Sequence, residues 1–462
     1  MVRKPIFNAL ALTLFVFVLC GCNPETPTPP ADKNVALAAA NEPPNAQGTT
    51  AQKPPSGEGI TEISAAAQRS EGLFAAEEAE RTLPADHWLR QTPIQKDTVP
   101  ATIAPPEPRV LLKQHGPAYL EQIGETRVLH LKGSYYDMGY QHGALLKEEI
   151  RLGATLIRTV GRVAWKKDFV KSSREAWERS SAHIPQKYKE ELEGMAEALG
   201  MPVEEVQEFN IFPELFHCSG FAFWGNATAD GALLHGRVLD YMREIGMDQW
   251  AIIIVQEPEN AHAFVNVGYA GLIGSVTGMN VQHVALGEMG GGGAEKWDGM
   301  PMTFLMRECL EMGTTLEDAC RIMRENPRTC EYYYVISDAK AQGGRGDAVG
   351  VASTPDDIQF IGPNEFHKLL PRPVEDAVLL SAGGRYQCLA DRVEAMHGKI
   401  TPQIALDIMA RGVSMRSNLH NALFKPATLE LWVANSTLLA PSCNRPYVHY
   451  DLNVLLNEQP AS

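Results

Sequence analysis

The chain has 462 residues, with 41 Lys and Arg against 56 Asp and Glu, a formal net charge of −15. That acidic balance, with no basic cluster to override it, excludes the electrostatic footprint of a nucleic-acid binder. Beyond residue 22 the cysteines are Cys218, Cys309, Cys320, Cys330, Cys388 and Cys443, with no Cys-x-x-Cys spacing, which argues against a zinc site. No metal and no cofactor is expected.

The first residues read as an export signal. Arg3 and Lys4 precede an apolar run from Ala9 to Leu19, interrupted only by Thr13. That run is too short and too early for a membrane span. It ends in Leu19-Cys20-Gly21-Cys22, which resembles a bacterial lipobox. The resemblance implies a signal peptide over 1–21, cleavage before Cys22 and a lipid on its sulfur. The protein is then exported and held to the cell envelope, facing the periplasm or the outer surface. Asn23 is not an aspartate, so the inner-membrane retention signal is absent and either membrane is open.

Residues 22–105 are rich in Ala, Pro, Glu, Thr and Gln, with prolines at 24, 27, 29, 30, 43, 44, 54 and 55. So little apolar surface cannot offset the entropy of ordering the backbone. A disordered tether is expected, with one marginal helix over Ile60–Leu83. From about Arg109 the composition becomes that of a globular domain.

The folded part divides in three. Residues 106–217 are expected to be mainly helical. A short strand, Arg127–Lys132, leads to Gly133-Ser-Tyr-Tyr-Asp-Met-Gly-Tyr-Gln-His-Gly143, then helical patterning from Ala144 to Lys171, from Arg174, and from Pro185 to Leu199. Gly200 reads as a helix C-cap and Pro202 as the next start. Glycines 133, 139 and 143 lack the Lys-Ser/Thr pair and the spacing of a phosphate loop, so they read as close packing of a strand on a helix.

From Cys218 to about Gly293 strands dominate. Trp250–Val255, Ala263–Val267, Gly271–Val276 and His283–Leu286 run apolar or alternate, with Gly278-Met279-Asn280 as a hairpin turn. Gly290–Gly293 forms a flexible loop, either a mobile wall of the site or a plain surface loop. The remainder alternates. Helices are expected over Pro301–Met312, over Leu316–Glu325 with a capping box at Thr314 and Glu317, over Leu389–His397, and over Gln403–Arg411 capped by Thr401 with Pro402 in the first turn. Strands are expected at Glu331–Ser337, Ala348–Ala352, Asn421–Phe424 and Leu429–Val433. Helices between groups of antiparallel strands suggest two packed sheets covered on their outer faces. In an exported protein Cys320 with Cys330, or Cys388 with Cys443, are possible disulfides, and buried thiols are the equal alternative.

Chemistry concentrates at Cys218. A small-residue strand starts there, turns at Asp230-Gly231 and returns through His235-Gly236-Arg237-Val238-Leu239-Asp240. The hairpin offers a sulfur nucleophile, a cation to favour its thiolate and a carboxylate to orient a base. That grouping points to a thiol enzyme acting on an acyl group. Residues i and i+3 of a regular strand face opposite ways, so Arg237 and Asp240 both serve Cys218 only where the strand bends or ends between them.

Gly133–Gly143, Cys218-Ser-Gly-Phe-Ala with Gly236-Arg-Val-Leu-Asp-Tyr241, Gly278-Met-Asn280, Pro301–Arg307, and Asn418-Leu-His420 with Leu431-Trp-Val433 occur in one order. In that order they resemble the acyl-coenzyme A:6-aminopenicillanic-acid acyltransferase-like peptidases, a branch of the N-terminal nucleophile hydrolases related to choloylglycine and penicillin V amidases. The resemblance implies an α+β fold, a four-layer α-β-β-α sandwich of antiparallel sheets, made as a precursor. Residues 106–217 would be a pro-segment, and 218–462 a second chain packed with it as one unit. Cutting at His217-Cys218 would give Cys218 an α-amine of pKa about 7.7–8.0, able to take the proton of a thiol of pKa about 8.5.

By the same resemblance Arg237 favours the thiolate and Asp240 holds the α-amine. The related amidases support the oxyanion with asparagines, whereas this chain has Glu288-Met289-Gly290 and Leu380-Ser381-Ala382. Ser381 and the backbone near Gly290 are the candidate donors, and Arg392 falls near the family's downstream arginine. His217 stands where the penicillin acyltransferases have a glycine. The expected function is a cysteine amidohydrolase or acyltransferase taking a small-molecule acyl-amide or thioester, with the membrane as partner through Cys22. Two alternatives stand beside it: an envelope lipoprotein that binds a ligand in the same cleft without catalysis, and an uncut thiol hydrolase using His217 or His235 as base.

Overall fold

A computed structural model describes residues 98–460 apart from 165–168, 212–216, 242, 244–245, 292–295 and 369. The signal peptide, Cys22, the Ile60–Leu83 helix and the tether up to residue 97 lie outside the described residues, as does half of the Gly290–Gly293 loop. Packing against the domain begins by Thr98, earlier than the composition break at 105. Ala101 donates to Asp407 Oδ1 (2.8 Å), and Tyr447 donates to the Thr102 carbonyl (2.7 Å).

In chain order the elements are β1 (Arg109–His115), β2 (Ala118–Ile123), β3 (Thr126–Gly133), α1 (Tyr135–Leu145), α2 (Lys147–Ala164), α3 (Phe169–Ser180), α4 (Gln186–Leu199) and α5 (Val203–Ile211). Then follow β4 (His217–Phe223), β5 (Leu234–Asp240), β6 (Ala251–Pro258), β7 (Phe264–Tyr269), β8 (Thr277–Asn280), β9 (Val284–Gly290), α6 (Met302–Met312) and α7 (Leu316–Glu325). The remainder comprises β10 (Tyr332–Asp338), β11 (Asp347–Ser353), β12 (Ile358–Ile361), β13 (Ala377–Leu380), α8 (Gly383–Met396), α9 (Pro402–Ile408), β14 (Asn418–Lys425), β15 (Glu430–Asn435), β16 (Val448–Asp451) and α10 (Leu452–Asn457).

Two sheets stack face to face. One has ten strands in the order β1-β2-β3-β6-β7-β8-β9-β10-β11-β12, the other six in the order β13-β4-β5-β14-β15-β16. All neighbours are antiparallel except β3 and β6. Val128, Ile253, Val265 and Met279 of the larger sheet meet Ala422, Phe424, Leu431 and Val433 of the smaller in one buried cluster. Each large apolar side chain so buried stabilises the fold by about 1.5–3 kcal/mol. Helices α1, α6 and α7 pack on the larger sheet and α8 and α9 on the smaller. The fold is α+β, in four layers: two stacked sheets with helices on their outer faces.

Residues 106–217 are more than a helical segment. They supply β1–β3, and β3 runs parallel to β6 in continuous register from Val128↔Ile253 to Gly133↔Pro258. The helical patterning read from Ala144 falls on α2, which begins at Lys147, and most of the Gly133–Gly143 motif ahead of it is itself a helix, α1. Its glycines mark helix-on-helix contact rather than strand-on-helix contact: a Cβ at Gly139 would lie 1.8 Å from the Glu191 carbonyl oxygen of α4, and one at Gly194 2.1 Å from that of Tyr136. Arg307 of α6 reaches the same layer, wholly buried, 2.7 Å from both Glu191 and Glu311.

Other boundaries follow local chemistry. Gly200 ends α4 with φ 64°, and Thr401 caps α9 by accepting from Ile404 N–H. The cap of α7 is Thr315, which accepts from Asp318 N–H, one residue beyond the expected Thr314 and Glu317. Gly271–Val276 is a turn, not a strand, because side chains from elsewhere take up its backbone groups. Gly278-Met279-Asn280 consequently lies in β8, with the reversal at 281–283. No disulfide forms among the six cysteines.

Candidate active site

The hairpin of β4 and β5 pairs Cys218 with Leu239 and Gly220 with Arg237. Directly opposed residues share a face, so Cys218 and Arg237 are diagonal neighbours, about 7–8 Å apart at Cα. That face looks across to the larger sheet. A Cβ at Gly220 would meet the Met289 sulfur at 3.0 Å, and one at Gly287 would meet Arg237 Cγ at 2.4 Å. Glycine at 220 and 287 therefore lets the sheets close over Cys218 and gives the arginine its path.

Arg237 Nη2 donates to Glu288 Oε1 at 3.1 Å, and both side chains are wholly buried. Arg237 Nε and Nη1 have no hydrogen-bond partner among the described residues. Buried donors left unmade cost about 1–3 kcal/mol each, so this guanidinium is prepared for an acceptor between the sheets. Burial, opposed by Arg237 and aided by Glu288 and Asp240, pushes the Cys218 thiol up to about 12. In the intact chain Cys218 is a protonated thiol, 4 % exposed.

Asp240 stands on the other face, because β5 stays in regular register with β4 through His217↔Asp240. The irregularity falls instead on β14, between Asn418 and His420. Asp240 Oδ1 accepts from Met415 N–H (3.0 Å), and Oδ2 accepts from Arg385 Nη1. The same guanidinium donates through Nη2 to the Cys218 carbonyl at 2.9 Å. Burial raises the Asp240 carboxyl, with Arg385 and the Met415 amide opposing. Arginine and aspartate thus flank the cysteine from two faces, Arg237 on the sulfur side and Asp240 on the backbone side, with no bend between them.

The supporting residues divide. Ser381 Oγ lies 2.6 Å from Ser219 Oγ, on the Asp240 side of β4 rather than the sulfur side. Gly290 ends β9 opposite Tyr332, one residue beyond Met289. Arg392 is not in the site. It donates to the carbonyls of Ile408, Ala410 and Arg411, fixing the turn that leads to Met415. The arginine that reaches the strand of Cys218 is Arg385, at the start of the same helix. His235 bonds Ser337 Oγ at 2.8 Å and sits four strand positions from the row of Cys218, about 13 Å away. Sequence reasoning noted Glu288 only as a departure and missed Arg385, whose signal was its place just after Gly383-Gly384. Among the described residues no group of three or more His, Cys, Asp or Glu could hold a metal ion.

A family model described as Acyl-coenzyme A:6-aminopenicillanic acid acyl-transferase matches residues 228–345. That span holds Arg237, Asp240 and Glu288 and begins after Cys218. Protein dcd1B of Dictyostelium discoideum is 25 % identical over 396 residues, covering 74 % of this chain and 77 % of the relative. Acid ceramidase of Rattus norvegicus is 28 % identical over 189 residues, covering 35 % of this chain and 47 % of the enzyme. Of solved structures, the Caenorhabditis elegans ortholog of N-acylethanolamine-hydrolyzing acid amidase superposes with a TM-score of 0.35 at 12 % identity, covering 46 % of this chain and 93 % of that one.

Proposed function

We propose that this protein is a cysteine amidohydrolase or acyltransferase that cuts its own His217-Cys218 bond and works through an acyl-enzyme on Cys218. The observation that carries the reading is the two-sided setting of Cys218. Arg237 lies diagonal to it on the sulfur face, while Asp240 sits in register opposite His217 and shares Arg385 with the Cys218 carbonyl.

The chemistry follows from that setting. Cleavage replaces the peptide nitrogen of Cys218 with an α-amine on the side that Asp240 serves. The amine takes the thiol proton, and the sulfur attacks the carbonyl of an amide or thioester. When the tetrahedral intermediate collapses, the C–N or C–S bond breaks and the ammonium returns its proton to the leaving group. Water or an amine then attacks the thioester and releases Cys218. Arg237 stabilises the thiolate, and its unused N–H groups suit a carbonyl oxygen gaining charge. A lipid on Cys22 would hold this enzyme at the cell envelope, where small-molecule acyl-amides or thioesters are its substrates.

The test is intact mass and N-terminal sequencing of the full chain beside Cys218→Ala. Two chains, the later one starting Cys-Ser-Gly-Phe, with the variant uncut, support the reading. A single chain in both removes the α-amine. The contest then lies between a thiol hydrolase with a histidine base and a binding protein.

A further inference from the structure

The Gly133–Gly143 motif contains a histidine that the chemistry above does not use. His142 on α1 is 1 % exposed, and its Nε2 accepts from Gly271 N–H at 3.0 Å. The neutral ring then carries its proton on Nδ1, which has no partner among the described residues. An orphaned buried donor is a cost, and here it accompanies one bond to a turn 129 residues away.

A second group ahead of Cys218 grips the same turn. Asn210, near the end of α5, donates to the Gly271 carbonyl (3.1 Å) and accepts from Ile273 N–H (2.9 Å). Arg307 Nη1 takes the Ile273 carbonyl and Asn266 the Gly274 carbonyl, at 2.8 and 2.9 Å. Gly271 has φ 88°, and a Cβ there would strike Phe209 and Ile150 at 2.8 and 2.9 Å. The turn therefore makes no ladder and takes its shape from side chains, two of them in the stretch before the cut.

The turn opens directly after Tyr269, the last residue of β7, whose carbonyl accepts from Leu272 N–H at 3.1 Å. The Tyr269 hydroxyl meets His420 Nδ1 at 3.0 Å, and His420 Nε2 meets Thr277 Oγ1 at 3.1 Å, all buried. His420 pairs with Leu239, and Leu239 with Cys218. Nucleophile and histidine so stand in one row on one face, with Arg237 diagonal to both.

We propose that His142 and Asn210 are positioning residues for the active site, holding the Tyr269–Gly274 turn so that Tyr269 walls the space where Cys218 and Arg237 meet the acyl group. The stretch before the cut is then a working part of the cleaved enzyme, not only a folding aid. This rests on the function proposed above.

The experiment uses the full chain in detergent, with His142→Leu, His142→Gln and Tyr269→Phe. Leucine removes the acceptor for Gly271 N–H, glutamine can restore it, and phenylalanine removes only a hydroxyl. Two quantities are read: kcat and KM on a fatty-acyl p-nitroanilide, and the iodoacetamide alkylation rate of Cys218 from the mass of its peptide. His142→Leu and Tyr269→Phe are expected to lower kcat about tenfold or more with KM within about threefold, and to shift alkylation by about threefold or more. His142→Gln is expected to recover most of the loss. Parent-like kcat and alkylation in folded His142→Leu and Tyr269→Phe overturn the proposal. Where His142→Leu fails to fold, Tyr269→Phe decides alone. A parent that turns over no anilide sinks the function itself, and the alkylation rates still decide the positioning.

Discussion

Asp240 stands directly opposite His217 across the β4–β5 hairpin, the residue whose peptide bond must break for Cys218 to gain its amine. Its carboxylate is held by Arg385 and by the Met415 amide, so under the proposed self-cleavage the position of the new amine would be defined before the bond is cut. Asp240→Asn keeps the shape but loses the charge that orients an ammonium. It is expected to slow self-cleavage and to lower turnover by about a hundredfold or more. Gel analysis of the two chains over time, with kcat on an acyl anilide, checks both. Parent-like cleavage and kcat would remove Asp240 from the mechanism.

The Arg237–Glu288 pair allows stability and activity to be separated. Both side chains are wholly buried, and removing one partner of such a pair typically costs about 3–5 kcal/mol because the other charge stays uncompensated. Arg237→Met should lower the urea midpoint sharply. Adding Glu288→Met should bring most of it back, because no lone charge remains. Turnover should stay lost in both, since the thiolate has lost its cation. Recovered activity in the double variant would show that Arg237 serves only to pair with Glu288.

The hairpin was legible because its parts are neighbours: the Asp230-Gly231 turn fixes a register that places Arg237 diagonal to Cys218. Arg385 was not, because its bond to Asp240 spans 145 residues and depends on where α8 lands. The same applies to Gly271–Val276. Its apolar run satisfies the pattern of a buried strand, yet Asn210, Asn266 and Arg307 take its backbone groups. Strand β1 escaped notice because it exposes Lys113 and Gln114 and lacks apolar alternation, and β2 because Glu121 and Gln122 interrupt its short apolar run.

The glycines of α1 yield a sharp prediction for assembly. A Cβ at Gly139 would lie 1.8 Å from a backbone oxygen of α4, which no rotamer change relieves. Helix propensity alone favours Gly139→Ala by about 0.8–1.0 kcal/mol, and the clash should reverse that sign and cost about 1–3 kcal/mol or more. A lowered melting temperature for Gly139→Ala, with little change for Gly384→Ala, where a Cβ meets nothing within 4 Å, is the expected contrast. Equal melting temperatures would mean that α1 and α4 are not packed this closely.

Acid should unfold the protein through its buried imidazoles. Burial pushes His142 and His235 down to about 3, and His420 well below its ordinary value. The unfolded rings titrate near about 6.5. Between those values the unfolded chain binds protons that the folded chain refuses, so stability rises with pH and is lost as pH falls from about 6.5 toward 3. Glu191 opposes this, because burial raises its carboxyl to about 7, and its folded form keeps a proton down the same range. Parent and His142→Gln share Glu191, so their difference isolates one ring. The urea midpoint of the parent should fall more steeply from pH 7 to about 4.5 than that of His142→Gln, a gap on the order of a few kcal/mol. Parallel pH profiles would mean that His142 takes up a proton in the folded state, and Gly271 N–H would then lack the acceptor that shapes its turn.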